Sequence, residues 1–147
     1  MNPAVIDASV ILRWAFDDET DREGAAAVAE ALQAGSLMAL APPNFLLEVA
    51  ASLVIALRAE RISRQTIDTV MRALAAIAID EVNPHRFAEA AIEIALRTGV
   101  RVPDAAYLET ARRSQSTLIT ADHAQFEGAM RMGLAVSALS EMPTQVS

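Results

Sequence analysis

Short apolar runs alternate with longer amphipathic stretches along the chain. Each short run has the length and aliphatic content of a strand, and the longer stretches carry apolar residues at helical spacing. The predicted strands are 4–7, 38–41, 76–82, 117–120 and 135–137. The predicted helices end near Phe16, Leu32, Arg58, Ala73, Leu96, Arg113 and Met132. Strands that alternate with helices predict an α/β fold, a parallel sheet covered on both faces.

Local signals predict where several helices begin. Thr20 and Glu23 have the spacing of a capping box before the second helix. Asn44 can cap the third helix, which is apolar on nearly all sides and is therefore expected to be buried. Pro84 fits the first turn of a helix, where its missing N–H has no partner to lose.

Length and composition predict one domain. The chain has 147 residues, 53% of them hydrophobic but only 4% aromatic, so the core must be aliphatic. We expect a single domain over residues 1–140 and a frayed tail over 141–147. Cysteine is absent, which excludes thiolate nucleophiles and sulfur-ligated metal sites and fits a reducing compartment.

No segment predicts a membrane or a secretory signal. The longest nearly apolar run, 49–57, is about half of the roughly 20 residues that a membrane-spanning helix needs. The first residues lack a basic segment followed by an apolar one. We therefore expect a cytoplasmic protein.

Acidic residues dominate the charge. The net charge of −7 argues against a protein that coats nucleic acid by bulk attraction. If four of the 19 acids form a metal site, 15 remain against 12 basic residues, and bound cations would reverse the local sign. Every one of those basic residues is arginine, and lysine is absent.

Four acids stand at related places in the predicted elements. Asp7 ends the first strand, Asp122 follows the fourth, and Asp104 opens a helix. Ligand sites of open parallel sheets lie outside the carboxyl ends of the strands, so these three acids should project toward one edge. Glu48 lies in an apolar sequence, where a buried, unpaired carboxylate would cost several kcal/mol. A bound cation would remove that cost.

Oxygen ligands without histidine or cysteine select hard ions such as Mg²⁺ or Mn²⁺. Such ions suit phosphodiester hydrolysis, because one can activate a water while another stabilises the leaving oxygen. Ser9 and Thr120, each two residues from an acid, could bond a ligand water or a phosphate.

Simpler explanations exist for each acid alone. Asp104 or Asp122 could cap a helix, and Asp7 could be a turn residue. A salt bridge to an arginine could account for Glu48. One shared cause explains all four acids more economically than four coincidences.

Four motifs in this order resemble those of PIN-domain ribonucleases, in particular the VapC-type toxins of bacterial toxin–antitoxin pairs. The motifs are 5–9, 41–49, 102–107 and 118–122. The resemblance spans nearly the whole chain. It implies that the four acids are the family's metal-binding set, with Asp7 and Asp104 the usual direct ligands.

The resemblance also implies a five-strand parallel α/β/α sandwich and a Mg²⁺- or Mn²⁺-dependent endoribonuclease that acts as the toxin of a type II pair. A homodimer, an RNA substrate and a VapB-like antitoxin whose tail occupies the groove and site are implied in the same way. Two places depart from the family. Ala124 and Gln125 stand where many relatives carry basic residues, and Glu109 stands where a small apolar residue is common.

Other classes share parts of the pattern. A phosphoryl-transfer receiver domain and a haloacid-dehalogenase-type phosphatase both need a lysine, which this chain lacks. A structure-specific DNA nuclease arranges its metal acids alike but usually carries additional DNA-binding elements. A non-catalytic partner-binding module on the PIN scaffold would be favoured by loss of an acid, and all four are present.

Overall fold

A five-stranded parallel sheet forms the centre of the molecule in the computed structural model, which describes residues 2–16 and 20–142. The strands are β1 (Asn2–Ile6), β2 (Leu37–Ala41), β3 (Ala78–Ile79), β4 (Thr117–Thr120) and β5 (Val136–Ala138). Their spatial order is β3-β2-β1-β4-β5, and every neighbouring pair is parallel. The parallel sheet predicted from the sequence is confirmed.

Seven helices within the described residues cover the sheet. They are α1 (Ala8–Ala15), α2 (Arg22–Gln33), α3 (Phe45–Arg58), α4 (Arg64–Ala73), α5 (Pro84–Thr98), α6 (Val102–Ser114) and α7 (His123–Arg131). Helix α1 packs against α2, α3 and α4, while α6 packs against α5 and α7. The result is the predicted three-layer α/β/α sandwich, and its aliphatic core includes Val5, Ile6 and Leu118, which are fully buried.

The chain reverses its direction of travel across the sheet between β1 and β4. From β1 it builds outward through β2 to β3, and it then returns to add β4 and β5 on the other side. Binding crevices of open α/β sheets form at such a switch point, outside the carboxyl ends of the strands. The register pairs Ile6 with Ile119, so Asp7, which directly follows β1, lies level with Thr120, the last residue of β4.

Two predicted helix caps are wrong. Helix α2 begins after Asp21, whose backbone is left-handed (φ 65°) and whose side chain makes no cap hydrogen bond, so Thr20 and Glu23 do not form a capping box. Asn44 precedes α3 in a helical conformation, and its side chain bonds Glu48 instead of a backbone N–H. In both places the neighbouring structure overrides a pattern based on spacing alone.

Two further expectations are corrected. The third strand is two residues long instead of seven, because Ala76 belongs to a short 3-10 helix (Leu74–Ala76) and residues 80–82 follow the strand without regular structure. Helix α3 is not buried on all faces, since Leu47 is 80% exposed and Ile55 67% exposed. Residues 143–147 of the predicted tail lie outside the described residues.

No helix in the described part of the chain combines the length and the apolar character that crossing a membrane requires.

Gly24 allows α2 to approach the short 3-10 helix Leu139–Glu141. A Cβ atom at Gly24 would clash with the backbone carbonyl oxygen of Leu139. Overpacking costs about 1–3 kcal/mol, whereas alanine improves helix propensity by about 1 kcal/mol. Because backbone yields less readily than a side chain, we expect Gly24→Ala to lower the free energy of unfolding by about 1–2 kcal/mol, measured by urea denaturation.

Ala26→Gly, on the exposed side of the same helix, measures the propensity difference alone. A Gly24→Ala protein more stable than the parent would show that the close approach to Leu139 is absent.

Candidate metal centre

Asp7 lies between β1 and α1 and is held by Thr120, the last residue of β4. Its Oδ2 accepts hydrogen bonds from the Ser9 N–H (3.1 Å) and the Thr120 hydroxyl (3.3 Å), and the first of these caps α1. The Ser9 hydroxyl accepts a bond from the Ala121 N–H at 3.0 Å. Only 4% of Asp7 is exposed. The supporting residues named from the sequence therefore tie the ends of β1 and β4 together around this carboxylate.

Asp104 is in the first turn of α6 and does not cap it. The N-cap position belongs to Arg101, whose side chain makes no cap bond. The half-buried Asp104 carboxylate is thus free of the role that most simply explains an acid at a helix start. Its position at the positive end of the helix dipole is still favourable.

Asp122 does cap a helix. Its Oδ1 accepts a bond from the Gln125 N–H at 2.8 Å, and its own N–H donates to the Thr120 hydroxyl at 3.0 Å. The simpler explanation for this acid is confirmed. Its exposed carboxylate nevertheless acts electrostatically on both Asp7 and Asp104, so it belongs to the same cluster.

Glu48 is half-buried in the first turn of α3 and is not unpaired, which corrects the expectation from its apolar neighbours. Its Oε2 accepts bonds from the Asn44 amide (3.1 Å) and the Tyr107 hydroxyl (3.2 Å). The hydrogen bond to Tyr107 joins α3 to α6. Glu48 thereby approaches the cluster from α3, the helix that follows β2.

Burial and mutual repulsion disfavour the charged forms of three acids. Burial raises the pKa of Asp7, and the charge of Asp122 adds to the rise. Burial followed by the charge of Asp7 raises the pKa of Glu48 to about 7. The pKa of Asp104 is raised by burial and then by the charges of Asp122 and Asp7. Burial, with the charges of Asp7 and Glu48, also raises the pKa of Tyr107, which stays a hydrogen-bond donor. The four acids therefore share one electrostatic environment.

The chemistry of this donor set fits a hard divalent cation. The donors are carboxylate oxygens, and a cation among them would offset the burial and repulsion that raise their pKa values. Within residues 2–16 and 20–142, however, no three acidic or histidine side chains lie close enough together to form a complete cage. Holding an ion would require the less buried carboxylates to turn toward Asp7, the most constrained of the four.

Two site residues were not identified from the sequence. Gln125 is fully buried, and its Nε2 donates to the Asp104 carbonyl oxygen at 3.4 Å. Tyr107 is fully buried beside Glu48. Tyr107 is a polar residue within the third motif (102–107), whereas Gln125 lies outside the four motifs, three residues after Asp122. Glu109, which stands where PIN-domain ribonucleases commonly carry a small apolar residue, is 2% exposed. It makes a bidentate ion pair with Arg112, with both N···O distances 2.8 Å.

Known proteins share both the sequence pattern and the fold. A family model for the PIN domain matches residues 4–129. PAE2754 from Pyrobaculum aerophilum superposes with a TM-score of 0.65 at 18% identity, over 92% of this chain and 90% of that one. FitAcB from Neisseria gonorrhoeae superposes with a TM-score of 0.62 at 14% identity, over 94% and 99%.

A structure of FitAB bound to an IR36 DNA fragment gives a TM-score of 0.64 at 13% identity, over 97% of this chain and 99% of that one. At such identities the likeness to solved structures establishes the fold alone. No curated protein matches the sequence.

Metal-free protein is expected to lose stability as the pH rises from about 5 to about 8. The native pKa of Glu48, about 7, lies above its ordinary value of 4.5. In that interval the native state holds a proton that the unfolded state releases, so the free energy of unfolding falls with rising pH. Glu48→Gln should make this fall in the free energy of unfolding smaller by about 1 kcal/mol, once the effect of the pKa shift is reduced for the partial exposure of Glu48. The corresponding difference in Tm is roughly 2–4 °C.

Thermal unfolding in excess chelator at both pH values measures the effect. The control is Glu93→Gln on the exposed side of α5, which should leave the decline as it is in the parent. Equal declines for the parent and Glu48→Gln would contradict the account of this carboxyl group.

Proposed function

The chain belongs to the PIN-domain family, and from that premise we propose that it is a Mg²⁺- or Mn²⁺-dependent endoribonuclease, the toxin of a type II toxin–antitoxin pair. One observation carries the hydrolytic part of the proposal. Three carboxyl groups with raised pKa values and a fourth acid converge at the switch point of a parallel sheet. Residues 1–140 would form the nuclease domain.

The proposed ligands differ in how firmly the protein holds them. Asp7 is fixed by Ser9 and Thr120 and would be the central ligand. Asp104 would face it as the second direct ligand from the first turn of α6. Glu48 and Asp122 would complete the set from the α3 and α7 sides, each oriented by hydrogen bonds of its own.

When bound among these carboxylates, Mg²⁺ or Mn²⁺ would supply an activated water and stabilise the leaving oxygen of the phosphodiester. The protein's part is to orient the acids and to keep their negative charges together until a cation neutralises them. Burial of Asp7 strengthens its attraction for a cation, because charges interact more strongly away from bulk water.

RNA as substrate, the antitoxin and the homodimer rest on the resemblance to VapC-type toxins. Exposed apolar side chains on α3 and α5, among them Leu47, Ile55 and Leu96, are compatible with protein partners. We propose a VapB-like antitoxin whose tail occupies the groove and site, and a cytoplasmic location. FitAB was solved with a DNA fragment, so DNA belongs in the substrate test.

Asp7→Asn should abolish metal-dependent RNA cleavage by protein freed of its partner. Removing a direct ligand should cost at least about 100-fold in rate, since even residues that only orient metal ligands cost about 10–100-fold. The measurement compares structured and unstructured RNA with single- and double-stranded DNA, each titrated with Mg²⁺ and Mn²⁺ and each with a chelator control.

The matched control is Asp68→Asn, which removes an exposed carboxylate paired with Arg64 and should leave the rate unchanged. Cleavage by Asp7→Asn at the parental rate would overturn the site assignment. Cleavage of DNA alone would favour the structure-specific DNA nuclease, and partner binding without any cleavage would favour the non-catalytic module.

A further inference from the structure

One buried glutamine is hydrogen-bonded to two of the four acidic residues. Gln125 is fully buried in the first turn of α7. Its backbone N–H donates to Asp122 Oδ1 at 2.8 Å, and its Nε2 donates to the Asp104 carbonyl oxygen at 3.4 Å. Burial raises the pKa of Asp7, and the Gln125 side chain acts in the opposite direction. The hydrogen bonds of this residue join α7 to α6.

Burial of the Gln125 side-chain amide at this position costs free energy. A glutamine side chain offers two donor hydrogens and an acceptor oxygen. The Oε1 of Gln125 is buried and has no hydrogen-bond partner within the described residues. An apolar side chain of similar length would fill the same space without that cost. Packing therefore does not account for a glutamine here, and its contacts with the acids do.

A neutral donor suits this position for an electrostatic reason. A lysine or arginine beside Asp7 would neutralise the carboxylate permanently and compete with any cation for it. The Gln125 amide is neutral and leaves the negative charge of Asp7 in place. The amide also bonds the main chain of Asp104 and thereby holds the residue from which the Asp104 carboxylate projects.

We propose that Gln125 is a positioning residue of the metal centre: its side-chain amide bonds the main chain of Asp104 and its backbone N–H bonds the carboxylate of Asp122, and together these bonds hold the two acids relative to each other beside Asp7. This inference rests on the proposed function. Groups that orient metal ligands typically contribute about 10–100-fold in metal affinity, so the loss of this amide should appear first in metal binding.

The test replaces Gln125 with methionine, which is similar in length and lacks the amide. Mn²⁺ titration followed by electron paramagnetic resonance gives the affinity of the metal-free protein. We expect Gln125→Met to bind Mn²⁺ about 10-fold or more weakly. RNA cleavage should be lost at low Mn²⁺ and should largely return at saturating Mn²⁺. The matched control, Gln65→Met at an exposed position of α4, should behave as the parent does in both assays.

Urea unfolding in chelator separates positioning from folding. A purely structural role would change the stability of Gln125→Met but leave the Mn²⁺ affinity of its folded form parental, and that result overturns the inference. If the parent and variant bind Mn²⁺ equally while the parent cleaves RNA, the positioning role fails alone. If the parent binds no Mn²⁺, both the proposed function and the positioning role fail.

Discussion

The register between the adjacent parallel strands β1 and β4 determines the geometry of the acidic site. It pairs Ile6 with Ile119, so the two strands end side by side and their following turns can bond each other. Through these bonds, Asp7 is held by Thr120 and the Ser9 hydroxyl meets the Ala121 N–H. A slip of one residue would turn each side chain of β4 to the opposite face, and Asp7 would lose its buried partner.

The same convergence concentrates negative charge, and helix dipoles offset part of it. Asp7 and Asp122 cap α1 and α7, and Asp104 lies in the first turn of α6, so three helix N-termini meet at the cluster. A negative charge at a helix N-terminus gains about 0.3–1 kcal/mol where it is exposed and up to about 2 kcal/mol where it is partly buried. The pKa values of Asp7 and Asp104 are nevertheless raised, so burial and repulsion outweigh the dipoles. A cation bound among these carboxylates would offset that repulsion.

The site residues best predicted from the sequence are those at the ends of strands and the starts of helices. Asp7 and Asp122 follow strands, and Asp104 opens a helix, so the edge at which they meet could be read from the alternation of patterns. The exposure of Glu48 could not, because the face that α3 buries is set by tertiary packing. Gln125 and Tyr107 could not be assigned either, since the Tyr107 hydroxyl bonds Glu48, 59 residues away, and the Gln125 amide bonds Asp104 of another helix.

Anomalous diffraction from a crystal soaked in Mn²⁺ tests the central claim most directly, because it locates the ion without relying on activity. The account predicts a peak contacted by carboxylate oxygens of Asp7 and Asp104, at distances of about 2.1 Å, as for a small hard divalent ion with oxygen ligands. The half-buried Glu48 and the exposed Asp122 should turn toward the same peak. Full-occupancy Mn²⁺ elsewhere, with no peak between Asp7 and Asp104, would contradict the account.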